Sequence, residues 1–154
     1  MGRKSSMENP SIYLKSREEA NMTRAQASEA MSISESSLEK IERGTQRANP
    51  DDVVLMAKAY KKPHLCNYYC ANECEIGKTS VPKIEEENVS KIVVNMLSKL
   101  NAVDQDRNRL IDIISDETIS EDEVKDFSAI QENLDQLAAT IEALRLWVKK
   151  EMEK

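Results

Sequence analysis

Two runs of heptad-spaced apolar residues constrain this chain more than any other feature. Val89, Val93, Met96, Leu100, Val103, Arg107, Leu110 and Ile114 follow one another at spacings of 4, 3, 4, 3, 4, 3 and 4. Phe127, Ile130, Leu134, Leu137, Ile141, Leu144 and Val148 follow at 3, 4, 3, 4, 3 and 4. A mean spacing of about 3.5 residues keeps a stripe on one side of an α-helix, so each run predicts a long helix with one apolar seam. Asp116-Glu117-Thr118 predicts a short turn between them. Ser120 with Glu123 forms a capping box at the start of the second helix. Residues 84–154 therefore predict a long antiparallel helical hairpin, coiled-coil-like. Two copies joined as a four-helix bundle bury both seams, which makes a homodimer the expected assembly. The hairpin is also a surface for another protein partner. Arg107 interrupts its seam and suits a register-setting pair with an acid across the interface; its alternative is to snorkel into solvent. Leu146-Trp147-Val148 widens the stripe, which suits burial against more than one neighbour.

Composition narrows the rest. The 154 residues include three Gly, one His, one Phe and one Trp, with 32% charged residues. Few glycines and aromatics among many Glu, Lys, Leu and Ile predict an all-α protein. Three well-separated glycines exclude Gly-rich phosphate loops, and a single His removes most His-based triads and metal sites. No catalytic constellation is visible, so a non-enzyme without a cofactor is expected. There is no apolar run near the ~20 residues that span a bilayer, nor a signal-peptide core after the start. MGRKSS fits the loose pattern for N-terminal myristoylation but lacks a second anchoring signal. Residues 1–10 read as a disordered basic arm. No membrane partner is expected, and the localisation expected is cytoplasmic.

The net charge of −6 hides a division. Residues 1–49 carry +1, residues 50–82 carry 0, and residues 83–154 carry −7. The acidity belongs to the hairpin, and the N-terminal half is neutral enough to permit a nucleic-acid surface.

That half, residues 11–74, predicts five short helices. The first covers 11–20, with Ile12 and Leu14 apolar and Arg17, Glu18 and Glu19 exposed. Thr23 with Gln26 is a capping box opening a second helix at 24–31. Ser32-Ile33 breaks the pattern, and Ser34 caps a third helix, 35–43, with Leu38 and Ile41 inward and Gly44 at its C-terminal end. Asn49-Pro50-Asp51-Asp52 is an N-cap, a Pro at the first helical position and a first turn of acids. It opens a fourth helix, 50–61, that turns Val53, Met56, Ala57 and Tyr60 inward. Pro63 opens a fifth, ending near Asn72. Residues 75–83, with Gly, Ser, Thr and Pro, read as a linker.

Two helices separated by a three-residue break are the helix-turn-helix pattern, whose third-helix N-terminus meets base edges in the major groove. The stretch Met22-Thr23-Arg24-Ala25-Gln26-Ala27-Ser28-Glu29-Ala30-Met31-Ser32-Ile33-Ser34 carries a likeness. So do Ile41-Glu42-Arg43-Gly44, Asn49-Pro50 and Leu55-Met56-Ala57-Lys58-Ala59-Tyr60. Over about residues 11–70 the chain resembles the phage-repressor (Cro-like, xenobiotic-response-element) helix-turn-helix family. The resemblance implies a five-helix repressor-like domain that binds double-stranded DNA, with a recognition helix at about 34–43. It assigns DNA contacts to Thr23, Arg24, Ser34, Glu35, Ser36, Ser37, Glu39, Lys40, Arg43 and Arg47. Ser32 stands where the family favours a turn glycine, and Ala27-Ser28 where it has Leu-Ala. Glu35 and Glu39 are acidic in the groove-facing helix, where they can accept from cytosine N4 but repel phosphate.

Cys66, Cys70 and Cys74 recur every four residues, with His64 just upstream. They read either as small apolar packing residues or as ligands of a metal or redox site, for which the spacing is a poor match to zinc motifs. An odd cysteine count suits a reducing compartment. The sequence thus points first to a sequence-specific DNA-binding transcriptional regulator, repressor-like, assembled by its hairpin. The alternatives are a protein-interaction adaptor on a helix-turn-helix fold and a Cys-based metal or redox sensor.

Overall fold

The structure, a computed structural model, describes residues 10–115 and 118–152. Most of the expected N-terminal arm, with its acylation pattern, and the turn acids Asp116 and Glu117 lie outside the described residues. Among the described residues there are eight helices and no strand. They are α1 (Ile12–Glu19), α2 (Arg24–Met31), α3 (Glu35–Glu42), α4 (Pro50–Ala59), α5 (His64–Asn72), α6 (Gly77–Ser80), α7 (Val89–Ile114) and α8 (Glu121–Met152).

Local chemistry sets most of these boundaries. The Ser11 hydroxyl accepts from the Leu14 amide at the start of α1. Thr23 and Gln26 exchange both bonds of the capping box. Asn49 accepts from the Asp52 amide ahead of Pro50. At Ser120 the Glu123 carboxylate accepts from both the Ser120 amide and its hydroxyl. Gly44 ends the third helix at φ +70°, a left-handed conformation that costs a glycine nothing.

Helices α1 to α5 enclose one apolar core. Tyr13, Met31, Leu38, Ile41, Val53, Met56, Tyr60 and Leu65 are buried in it, with Ala27 at its centre. In α1 the inward aromatic is Tyr13, flanked by the half-buried Ile12 and Leu14. The Tyr13 ring meets Tyr68 edge-on at 6.2 Å, and its hydroxyl donates to Glu73. The segment expected as a linker contains helix α6. Its Gly77 lies against α5 so closely that a Cβ would sit 2.1 Å from the Cys70 carbonyl oxygen, which leaves room for glycine alone. Beyond it, Asn67 donates to the Pro82 carbonyl and accepts from the Ile84 amide, fastening the following strand of chain to α5.

Helices α7 and α8 pack as the antiparallel hairpin, on a stripe that overlaps the expected seams but is shifted to one side of them. Ile92, Ile113 and Ile130 are its buried residues, and Asn133 of α8 donates to Asp106 of α7 within the seam. Leu100, Arg107 and Ile114 of the expected first seam are exposed, as are Leu134, Ile141 and Val148 of the second. The inward line runs through Ile92, Met96, Val103, Asp106, Leu110 and Ile113. Each helix is turned by a fraction of a turn, and Trp147 is half-buried as a result. The turn brings the base of the hairpin onto α5. Ile92, Leu146, Trp147 and Lys150 meet Pro63, His64, Ile84 and Glu86 around a small cleft. Glu86 accepts from Lys150 at 3.0 Å and stands 3.0 Å from His64 Nδ1.

Burial pushes the His64 imidazole below its ordinary 6.5, against the opposing pull of Glu86. Burial also pushes the Glu86 carboxyl up, but Lys150 and His64 outweigh it and hold it below the usual range. Both groups bind protons more readily in the unfolded chain. Stability is therefore full above about pH 6.5 and falls as pH drops below it. Denaturant titrations at pH 7.5 and 5.5 check this, with His64→Gln expected to flatten the first part of the decline; an unchanged slope contradicts it. Ser32 ends α2 at φ +55°. The left-handed region costs a residue with a Cβ roughly 1–2 kcal/mol, partly offset in glycine by its freer unfolded state. Ser32→Gly should stabilise by about 0.5–1 kcal/mol, raising Tm by roughly 1–4 °C in a scanning calorimeter.

Candidate nucleic-acid interface

The arrangement of α2 and α3 rests on a buried ion network. Glu42 in the last turn of α3 is 2% exposed. Its carboxylate accepts from Arg17 Nε at 2.5 Å and Arg17 Nη2 at 3.1 Å. It also accepts from Arg24 Nη2 at 2.9 Å and Arg24 Nε at 3.2 Å. Arg17 Nη1 donates in turn to the Met22 carbonyl ahead of α2. Three helices are thus tied at one carboxylate. Arg17, expected at the surface, is a buried member of this network. Its pairing was not visible locally, because Glu42 lies twenty-five residues away. The Ile41–Gly44 ending marked Glu42 as part of a motif but gave no hint that two arginines converge on it.

With Leu38, Ile41 and Glu42 turned inward, the opposite face of α3 is open. Ser34 caps the helix by accepting from the Ser37 amide, and its hydroxyl donates to the Ser37 hydroxyl. Ser34, Glu35 and Ser36 are exposed at the leading end, and Ser37 is half-buried. Lys40 and Arg43 lie exposed one and two turns on, and Glu39, just ahead of Lys40, is half-buried. Lys40 forms no ion pair among the described residues. Arg43 pairs with Glu39 at 2.7 Å, an exposed contact of the kind worth little in water and readily exchanged for another anion.

The remaining candidates are placed differently. Arg24 spends two nitrogens on Glu42, with its side chain one-third exposed. Thr23 is exposed at the N-terminus of α2, occupied with its capping box. Arg47 lies past the helix end, 3.3 Å from Glu75, both exposed. Of the candidates, Ser36, Glu39, Lys40 and Arg43 therefore make up the open face of α3, with Ser34, Glu35 and Ser37 at its leading end. Chemically this face offers hydroxyls that donate or accept, two cations and two carboxylates. Cys66 and Cys70 are half-buried on α5, and Cys74 is half-buried just beyond it. Among the described residues no group of three or more His, Cys, Asp or Glu side chains is placed to hold a metal ion.

Removing one member of a buried charge network leaves the others desolvated and unpaired, at a typical cost of 3–5 kcal/mol. Glu42→Ala should accordingly destabilise the fold by about 3 kcal/mol in denaturant titration followed by circular dichroism. A loss below about 1 kcal/mol would show that α3 is held by apolar packing alone.

Comparison with known proteins covers the same stretch. No curated protein and no solved structure matches the chain, and no helix among the described residues is long and apolar enough to cross a membrane. A family model does match: residues 15–63, from within α1 to the residue ahead of α5, are similar to a helix-turn-helix domain.

Proposed function

We propose that this protein is a sequence-specific DNA-binding transcriptional regulator of the phage-repressor type. Residues 11–74 are its DNA-reading half and residues 84–154 assemble a homodimer, with 75–83 joining them. The observation that carries this reading is the open face of α3. Inside a matched helix-turn-helix domain, Glu42 anchors the inner side of that helix to Arg17 and Arg24. Its outer side presents Ser36, Lys40 and Arg43 in succession. A recognition helix needs both properties: fixed orientation, and polar groups long enough to reach base edges and phosphates.

In this reading Lys40 and Arg43 supply the phosphate or guanine contacts, and Ser34, Ser36 and Ser37 read base edges. Glu35 and Glu39 discriminate rather than attract: a carboxylate accepts from cytosine N4 and repels misplaced phosphates. Thr23, Arg24 and Arg47 support the backbone contacts on either side. Two-fold assembly matches the need of a short reading helix for two half-sites.

The test is selection of bound duplexes from a random pool, followed by fluorescence anisotropy on the selected sequence at rising salt. A defined sequence and a steep loss of affinity with salt are expected. Lys40→Ala and Arg43→Ala should each weaken binding by roughly 1–3 kcal/mol if they contact bases, or lower the salt slope by about one if they contact phosphate. A flat response at low salt overturns the reading.

A further inference from the structure

The hairpin leaves a second apolar stripe uncovered, and that stripe has internal symmetry. On α7, Leu97, Leu100, Ile111 and Ile114 are 53%, 44%, 56% and 58% exposed. Between them on the same line lie Asp104 and Arg107. The six positions follow at spacings of 3, 4, 3, 4 and 3. Read from either end, the order is two aliphatics, a charged pair, two aliphatics. An α-helix with such a stripe meets an antiparallel copy of itself in one natural register. Its two-fold axis passes between Gln105 and Asp106. That register sets Leu97 opposite the partner's Ile114, Leu100 opposite the partner's Ile111, and Asp104 opposite the partner's Arg107.

The α8 helix contributes to the same face. Its exposed Leu134 and Ile141 each follow by one residue an inward-facing position, Asn133 and Thr140. On α7 the exposed stripe likewise follows by one residue the inward positions Met96, Val103, Asp106, Leu110 and Ile113. One residue is about 100° of helix rotation. Antiparallel helices rotate in opposite senses when viewed along one axis, so both offsets swing to the same side of the hairpin. The result is a two-helix apolar face with a charged pair at its middle.

We infer that this face is the homodimer interface, with a second copy of the chain packed on it so that α7 runs antiparallel to the partner's α7. The inference rests on the reading of the hairpin as the assembling half. It gives that half a surface and a register. Self-complementarity is what an isologous interface requires. Within one chain Asp104 and Arg107 stand 3.5 Å apart and are exposed, a contact of little strength in water. Across the two-fold axis the same side chains form two reciprocal pairs at the centre of an apolar surface, where they fix register. The partner also covers aliphatic area that a helical hairpin otherwise presents to water. In this arrangement the two copies of Val89 stand thirty-three positions apart, roughly 50 Å at about 1.5 Å per residue. The two reading halves then sit at opposite ends of the bundle, farther apart than one turn of DNA, about 34 Å.

The test is sedimentation of the full chain with two single charge reversals, Asp104→Arg and Arg107→Asp. Each variant alone sets like charges opposite one another, and its self-association should weaken by at least about tenfold. An equimolar mixture of the two restores opposite charges across the axis and should sediment as a heterodimer, although each chain still lacks its internal pair. Both positions are exposed, so helicity by circular dichroism should be unchanged in either variant. A wild-type chain that is monomeric overturns the dimer reading altogether. A wild-type dimer indifferent to both reversals, or a mixture that stays monomeric, overturns this surface alone. Neither outcome bears on DNA recognition, because no DNA is present in the measurement.

Discussion

The buried carboxylate of Glu42 is the interaction on which the N-terminal half depends. Out of water it needs partners, and Arg17 and Arg24 supply them. Satisfying that need tethers α1, α2 and α3 together and determines which side of α3 turns to solvent. Apolar packing of Leu38 and Ile41 alone would leave some rotational latitude, because aliphatic contacts are not directional. Charge-assisted hydrogen bonds from two guanidinium groups are directional and hold one rotation. The open face with Ser36, Lys40 and Arg43 is therefore a consequence of what happens on the opposite side of the helix.

A comparable selection operates in the hairpin. Its helices carry apolar residues on two stripes one position apart, such as Met96 with Leu97 and Leu110 with Ile111. Either stripe satisfies a heptad pattern. The inner one is selected by the base of the hairpin, where Ile92 and Trp147 pack beside Pro63, His64 and Ile84. Ion pairs and hydrogen bonds between the helices, Arg109 with Asp126 and Asn133 with Asp106, agree with that rotation. What remains uncovered is the other stripe, with its paired Asp104 and Arg107.

Much of this was legible residue by residue. The capping box at Thr23 and the Ser34 and Asn49 caps all act within a few positions along the chain, so local spacing reveals them, whereas Ser32 was marked only by the resemblance. The helix-turn-helix order and the long hairpin were visible for the same reason. The site was legible only in part. Ser36, Glu39, Lys40 and Arg43 share one face of α3, because a helix places residues three and four apart together. Arg24 and Arg17 escaped that logic, since their partner is far away in sequence.

By itself, then, the sequence determined seven of the eight helices, their order, several of their caps and the presence of two heptad patterns, because each depends on neighbours within about one turn. Only the tertiary structure decided which stripe of the hairpin is inside, that a helix and a tightly packed Gly77 occupy the presumed linker, and that Arg17 is buried. Those outcomes depend on long-range desolvation. Burying a charge or a stripe is favourable only when its partner arrives, and the partner's identity is written in the fold rather than in the neighbouring residues.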